Sequence, residues 1–528
     1  MQLNYRIRKI VVCVAMAVCL VGCSTGAVDE ETTTAIGENV GNDNKPGNNT
    51  VTVSPSNVEG MDISDMFSAR DKEVGYDKSK AITITLNGST ATASSSLVKI
   101  DGSTIYLSKE GTYIISGTLD NGQIIIQATD KDKIGLVLDN VTISSSNSAP
   151  IYVKEADKVF VTTTEDSKNT LKTTGEFVSD GEINVDAVIF SKADITLNGK
   201  GTLTIDTDYG HGIVSKDDLV ITSGTYEINS SSHCIDGKDS VRIAEGTFKL
   251  TTEKDGIHSE NKDDTTKGFI YIAAGEYEID AADDGISSTA AVQIDGGNIL
   301  MNTGKEGIEG YSVNILGGNI NVVSGDDGIN ASGGREGDGS MYVNFAGGVT
   351  NINSGGDGID SNGNFYISSG EVYILGPTNS ANGALDYDGE GKITGGTFLA
   401  VGASMMAQSF SSATQGVILV KVANVPAGND LILKDNEGTV VFSHKVDKAY
   451  NSIVLSTANI KEAETYTLVT GGKETTIEMS SIIYGGQGGM GGGFGGGKPG
   501  GDKGDFGGGK DFGDGDFGGG RPGGRSDM

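Results

Sequence analysis

The chain has no tryptophan, which counts against a flat indole platform for crystalline polysaccharide and leaves any stacking on sugar rings to its 17 tyrosines. Basic residues are scarce: 39 Lys and Arg against 71 Asp and Glu give a formal charge of −32 and a pI near 4.4. Nucleic-acid affinity comes from Lys and Arg displacing counterions from phosphates, so a nucleic-acid partner is not expected and cations are the natural ones. Helical periodicity is missing, since no long stretch repeats its apolar positions every three to four residues. The apolar run Ile10–Val21 is shorter than the roughly 20 residues a membrane span needs.

That run follows Arg6, Arg8 and Lys9 and ends in Leu20-Val21-Gly22-Cys23, the order of an export leader. The tetrapeptide resembles the bacterial lipobox, in which the cysteine is acylated and becomes the new N-terminus. It implies a signal peptide over 1–22, lipidation of Cys23, and an extracellular chain anchored to the cell membrane through that lipid. Processing removes Cys13 and Cys19 and leaves Cys234 as the free thiol, so an intrachain disulfide framework is excluded. Residues 23–78 are rich in Thr, Asn, Gly, Ser and Asp and read as a flexible tether. Glycine, at 81 residues, is about twice as frequent as usual, which points to turns, stacked coils or a disordered tail. Residues 483–528 read as such a tail.

From Ala81 onward short alternating segments such as Ile82-Thr83-Ile84-Thr85-Leu86 and Ile124-Ile125-Ile126 are separated by Gly, Asn and Asp, which predicts strands of about five residues. A strand-turn unit recurs with its key glycine at 224, 246, 275, 297, 318, 348, 370 and 396. Between these lies an acidic residue or His followed by Gly-Ile: His211-Gly212-Ile213, His233-Cys234-Ile235, Asp255-Gly256-Ile257, Asp284-Gly285-Ile286, Glu306-Gly307-Ile308, Asp327-Gly328-Ile329 and Asp357-Gly358-Ile359, with Gly383-Ala384-Leu385 as a degenerate copy. The repeat is about 22 residues long, too short for a propeller blade of about 40, and it lacks the Leu/Asn pattern of leucine-rich repeats. It suits a parallel β-helix, in which equivalent residues stack roughly 4.8 Å apart. Two coils are lengthened, by Asn261–Lys267 and Gly333–Gly339, at the same corner, so both insertions should project from one side. The fold expected is all-β: a single-stranded parallel β-helix over 79–414, with residues 415–482 as a small β unit capping its end.

Stacking turns the repeat into columns. The residue after each turn glycine, Ile213 through Ile359 to Leu385, must form a buried aliphatic ladder. Before the turn position, Gly in each full copy but Cys234 in one, stand His211, His233, Asp255, Asp284, Glu306, Asp327 and Asp357; after the ladder residue stand Val214, Asp236, His258, Ser287, Glu309, Asn330, Asp360 and Asp386. By alternation both sets face outward. Carboxylates about 5 Å apart repel by of order 1 kcal/mol per pair even in water, so the array calls for a counter-ion. Hard oxygen donors suit Ca2+. The site expected first is Asp326, Asp327, Asn330, Asp357 and Asp360, continued by Glu306 and Glu309, with Asp255, Asp283 and Asp284 as further ligands. Asp-Gly is also a common turn pair, but turn chemistry does not require both columns to be acidic. His211, His233 and His258 offer the donors of a transition-metal site, but His258 stands in a different column from the other two, and the three are read as polar turn residues.

Repeated Asp-Asp-Gly-Ile turns, followed by Met405-Met406-Ala407-Gln408 and Ser412-Ala413-Thr414-Gln415, resemble a bacterial family of calcium-binding, carbohydrate-binding β-helix proteins related to the family 9 pectate lyases. The resemblance covers roughly residues 80–480 and implies a right-handed parallel β-helix holding several Ca2+ ions and binding plant cell-wall polysaccharide. The lyase relatives hold calcium with Asp-Asp-x-x-Asp. Asp326-Asp327-Gly328-Ile329-Asn330 matches with Asn in the last place, and Gly356-Asp357-Gly358-Ile359-Asp360 lacks the first Asp. A lyase also needs a Lys or Arg to take the α-proton. Lys254, Lys305 and Arg335 stand near the acids, but Lys254 and Lys305 read as relief of carboxylate repulsion. The expected function is therefore calcium-dependent binding of an acidic polysaccharide by a monomer without catalysis, the alternatives being a pectate lyase-like enzyme and a surface scaffold or adhesin.

Overall fold

The structure is a computed structural model that describes residues 60–181, 183–333, 341–378 and 381–486. The leader, Cys23, most of the tether, Arg335 and residues 487–528 lie outside the described residues. Within them the regular elements are all strands, and no helix is long and apolar enough to cross a membrane.

Segments rich in Val, Ile and Thr and cut by glycine favour extended backbone. One circuit of the chain supplies Thr225–Ser230, Ile235–Gly237 and Ser240–Ile243, and the next supplies Thr247–Thr252, Ile257–Ser259 and Phe269–Ile272. Each strand pairs in parallel with its equivalent one circuit on: Thr225 with Thr247, Ile235 with Ile257, Ser240 with Phe269. The Gly-Ile strands lie in a sheet of 13 strands, the others in one of 26.

An isoleucine ladder runs through the 13-stranded sheet: Ile105, Ile124, Ile151, Ile189, Ile213, Ile235, Ile257, Ile286, Ile308, Ile329 and Ile359 stand in register, each fully buried. Burying one such side chain contributes about 1.5–3 kcal/mol, so the ladder alone is a large part of the core. The ladder starts four rungs before the Gly-Ile motif that announces it. The recurring glycines at 224, 246, 275, 297, 318, 348, 370 and 396 all have positive φ. A Cβ at Gly297 would come 2.8 Å from the carbonyl of Gly275, so the column admits no side chain.

Two boundaries move. The tether drawn to residue 78 stops earlier, because residues 60–78 lie along the 26-stranded sheet. Asp71 is buried there; its carboxylate accepts from Thr196 Oγ1 at 2.6 Å and pairs with Lys158 at 2.8 Å, and its carbonyl accepts from Asn198 and Thr222. Burial opposes the charge, but Lys158, Thr196 and Ser68 hold the carboxyl down at about 2. A latch made of polar bonds leaves no hydrophobic period to read. At the other end, Ile483–Tyr484 belongs with the β structure rather than the tail, paired with Val417 and Ile418.

Thr397–Gly402, parallel to Asn364–Leu375 on one side, is closed on the other by Tyr450–Ser456 running antiparallel to it, which in turn pairs with Val417–Val425. A separate four-stranded antiparallel sheet from Asn429–Lys434, Val440–Val446, Thr465–Thr470 and Lys473–Glu478 packs on this closure around Leu431, Leu433, Tyr466 and Leu468.

Candidate functional site

Backbone pairing stacks the residues that precede the turn glycines. Gly256 N–H donates to the Asp284 carbonyl, Gly285 to Glu306, Gly307 to Asp327 and Gly328 to Asp357, at 2.8–3.1 Å. The turn glycines are needed because a Cβ at Gly307 would come 2.5 Å from the carbonyl of Gly328. Side chains join this ladder: Asp255 Oδ1 accepts the Asp284 N–H at 3.1 Å, Asp284 Oδ1 the Glu306 N–H at 3.2 Å, and Asp327 Oδ1 the Asp357 N–H at 2.7 Å. Each of these Asp residues thus commits one oxygen to the backbone of the next circuit, and Asp255 turns its second to His233 Nδ1 at 3.1 Å. The neighbouring column is set by strand register, with Ser287 beside Glu309, Glu309 beside Asn330, Asn330 beside Asp360 and Asp360 beside Asp386.

Two acidic clusters result. Asp327, Asp357 and Asp360 each bring one oxygen within 4.8 Å of the others, and so do Asp255, Asp283 and Asp284. They differ in compensation. Asp283 is paired with Lys305 at 2.5 Å and Lys254 at 3.4 Å, which outweigh its burial and hold its carboxyl below the usual range. Burial, the Glu306 carboxyl and the Asp255 charge push Asp284 far above it. Among the described residues no Lys or Arg pairs with Asp327, Asp357 or Asp360. Burial, then the charges of Asp357, Asp326 and Asp360, push the Asp327 carboxyl up to about 7 against the one N–H it accepts. Burial and neighbouring acids push Asp357 and Asp360 up to about 6, Asp386 acting on both.

The donor set of the Asp327, Asp357 and Asp360 cluster fits a hard divalent ion. Two oxygens on one calcium lie at most about 5 Å apart, given bonds of 2.3–2.6 Å. Asn330, 9% exposed, has an Oδ1 with no hydrogen-bond partner among the described residues. A Cβ at Gly356 would stand 2.3 Å from Asp326 Oδ1 and 2.4 Å from Asp327 Oδ1, so the absent first Asp of that turn is what gives the two carboxylates room. Asp326 itself joins no three-membered cluster among the described residues, and neither does Glu306. Glu309 is turned to Ser332 Oγ at 2.7 Å and Ser287 Oγ at 3.4 Å. Asp386 and Asp388, not among the expected ligands, both act on Asp360.

Glu309 also helps wall a cleft of about 270 Å3 together with His258, Glu260, Asn261, Lys262 and Ser332. Asn261 and Gly333, the first residues of the two expected insertions, both line it; the rest of the second insertion lies outside the described residues. The first is pinned at its base by Asn261 Nδ2 on Asp239 Oδ1 at 2.7 Å and by an ion pair from Lys267 to Asp239. Clefts of about 850 and 500 Å3 lie beside the glycine column and under the N-terminal segment, and neither is lined by an acid of the two columns.

A protein-family model described as "Carbohydrate-binding domain-containing protein" matches residues 101–309. The matched range takes in Asp255, Asp283, Asp284, Glu306 and Glu309 and ends before Asp326. A carbohydrate-binding domain-containing protein of Acetivibrio thermocellus is 30% identical over 207 residues, 39% of this chain and 72% of the relative. A solved polysaccharide lyase-like protein from C. thermocellum, a gadolinium derivative, is 31% identical and covers 44% of this chain and 96% of its own, with a TM-score of 0.43. On the sequence likeness to the A. thermocellus protein, the chain belongs to the family of carbohydrate-binding domain-containing proteins.

Proposed function

We propose that this protein binds an acidic polysaccharide outside the cell in a calcium-dependent way, without cleaving it, from a right-handed parallel β-helix tethered to the membrane by a lipid on Cys23. The observation that carries the reading is the Asp327, Asp357 and Asp360 cluster, whose oxygens fall within 4.8 Å with no basic partner among the described residues. Such a cluster is stabilised by an ion and leaves that ion coordination positions for a uronate carboxylate. The cleft walled by Glu309, Asn261, Lys262 and Ser332 offers donors and acceptors for sugar hydroxyls. Its volume is just under the roughly 300–1,000 Å3 of small-molecule sites, which suits one stretch of a longer chain. Of the candidate bases for a lyase, Lys254 and Lys305 are both drawn onto Asp283, and Arg335 lies outside the described residues. This supports binding over catalysis. The leader residues Arg6, Arg8, Lys9 and Leu20–Cys23 support the location.

A glycan array probed in CaCl2 and again in EDTA tests the reading. Signal on uronate-containing glycans that disappears with EDTA, and with Asp357→Asn/Asp360→Asn in CaCl2, is expected. Equal signal in both buffers removes the calcium from the proposal, and no glycan signal in either removes the carbohydrate. Accumulation of unsaturated product from polygalacturonate, in proportion to protein, would replace binding by lyase activity.

A further inference from the structure

Three of the chain's four histidines meet where the polar stretch of the 13-stranded sheet begins. The rings of His233 and His258 lie 4.1 Å apart and 7° from parallel, and His211 stands 5.1 Å from His233 on the preceding circuit. Their separate columns hide this from the sequence: His258 leans across from the column beside the ladder to cover His233. One nitrogen of each ring is engaged. Asp236 Oδ1 lies 3.0 Å from His258 Nδ1, Asp255 Oδ2 lies 3.1 Å from His233 Nδ1, and Ser232 Oγ lies 3.2 Å from His211 Nε2.

Among the described residues the remaining nitrogens have no such engagement. His211 Nδ1 is buried without a hydrogen-bond partner, and so is Asp186 Oδ1, whose own backbone carbonyl accepts the His211 N–H at 2.8 Å. One donor atom from each of His233, Asp255 and His258 lies within 4.8 Å of the others. A tetrahedral ion with bonds of 2.0–2.1 Å needs donors about 3.4 Å apart, a distance reached by small side-chain rotations. A carboxylate on one imidazole nitrogen orients the ring and makes the other the ligand, which is the relation of Asp236 to His258. Asp255 divides the two chemistries: its Oδ1 serves the acidic ladder through the Asp284 N–H, and its Oδ2 faces His233.

We propose that His233, His258 and Asp255, with His211 as a further donor and Asp236 as a positioning residue, form a site for a first-row transition dication such as Zn2+, distinct from the all-oxygen cluster at Asp327, Asp357 and Asp360. Imidazole nitrogens select such ions, whereas carboxylate and carbonyl oxygens suit calcium. The site needs no sugar, so it stands or falls independently of polysaccharide binding. His258 also walls the cleft, so the ion sits at the cleft's edge.

The test is ZnCl2 titration of the metal-stripped full chain in an excess of CaCl2, read by a chromophoric competitor and by elemental analysis. One Zn2+ retained per chain is expected. His258→Gln and His233→Gln should each weaken it by at least 100-fold, and Asp236→Asn by roughly 10–100-fold. Asp360→Asn should leave it unchanged. A Co2+ titration should give visible absorption in the wild type that His258→Gln removes. Zinc uptake indifferent to both histidine substitutions, or no stoichiometric uptake in calcium, overturns the proposal. If His233→Gln fails to fold by circular dichroism, His258→Gln and Asp236→Asn, at side chains 18% and 16% exposed, decide the matter.

Discussion

The outward column beside the isoleucine ladder is two different surfaces on one backbone. Over its first five rungs it reads Tyr106, Ile125, Tyr152, Phe190 and Val214, and from there Asp236, His258, Ser287, Glu309, Asn330, Asp360 and Asp386. Strand pairing is the same throughout. In the first half Tyr152, Phe190 and Val214 are roofed by Val185 and Ile183 into a second small core. In the second half the column is polar and walls a cleft. The difference teaches that the inward ladder and its strand pairing persist whatever the outward column carries, so that column is packed over in one place and lined with polar and acidic side chains in another.

Four measurements probe that division. The largest effect is expected from Phe190→Ala, which removes a fully buried ring and should cost about 3–5 kcal/mol. The loss, followed by circular dichroism, should be equal with and without calcium; a loss that calcium reverses would show that the halves are not independent. Next, calcium at 1,000 times its Kd should stabilise the wild type by about 4 kcal/mol, and a single-site ion gives no more than that. Asp357→Asn/Asp360→Asn should lose most of this increment while Phe190→Ala keeps it.

The third effect is a reversal of sign with pH. Without metal, the folded chain keeps protons on Asp327, Asp357 and Asp360 up to about pH 6–7, whereas the unfolded chain releases them near pH 4. That contribution is full below about pH 4 and is lost as the pH rises through 6–7. Melting temperature in EDTA should therefore rise from pH 8 to pH 5, and in saturating calcium it should fall as protons displace the ion. The same slope in both buffers would mean that these carboxylates hold no calcium. The smallest effect is expected from Lys305→Ala, a side chain 60% exposed, at under about 1 kcal/mol in a thermal melt. Calcium should shrink the deficit by replacing the lost charge beside Asp283.

Much of the fold is legible because glycine marks it. The Gly-Ile turns give the ladder from Ile213 onward, and the eight spaced glycines all have positive φ. Ile105, Ile124, Ile151 and Ile189 belong to the same ladder but are unannounced, since their turns lack Gly-Ile and their loops differ in length. Columns name which acids stack, and so Asp327, Asp357 and Asp360 are readable. Lean between neighbouring columns is not encoded in spacing, which hides the meeting of His258 with His233 and the turning of Glu309 to its serines. The Asp71 latch is hidden for another reason: one acid meeting Lys158 and Thr196 across the chain leaves no local pattern.

The unbroken isoleucine register also acts as a ruler. Removing or adding a whole circuit leaves every inward contact in phase, so the spacing between the histidine group and the acid group can change only in steps of one rung, roughly 4.8 Å. A lineage could thus retune the distance between the histidine group and the acid group, or between either and the cleft, by deleting some 22 residues at a stroke while keeping the inward ladder in phase.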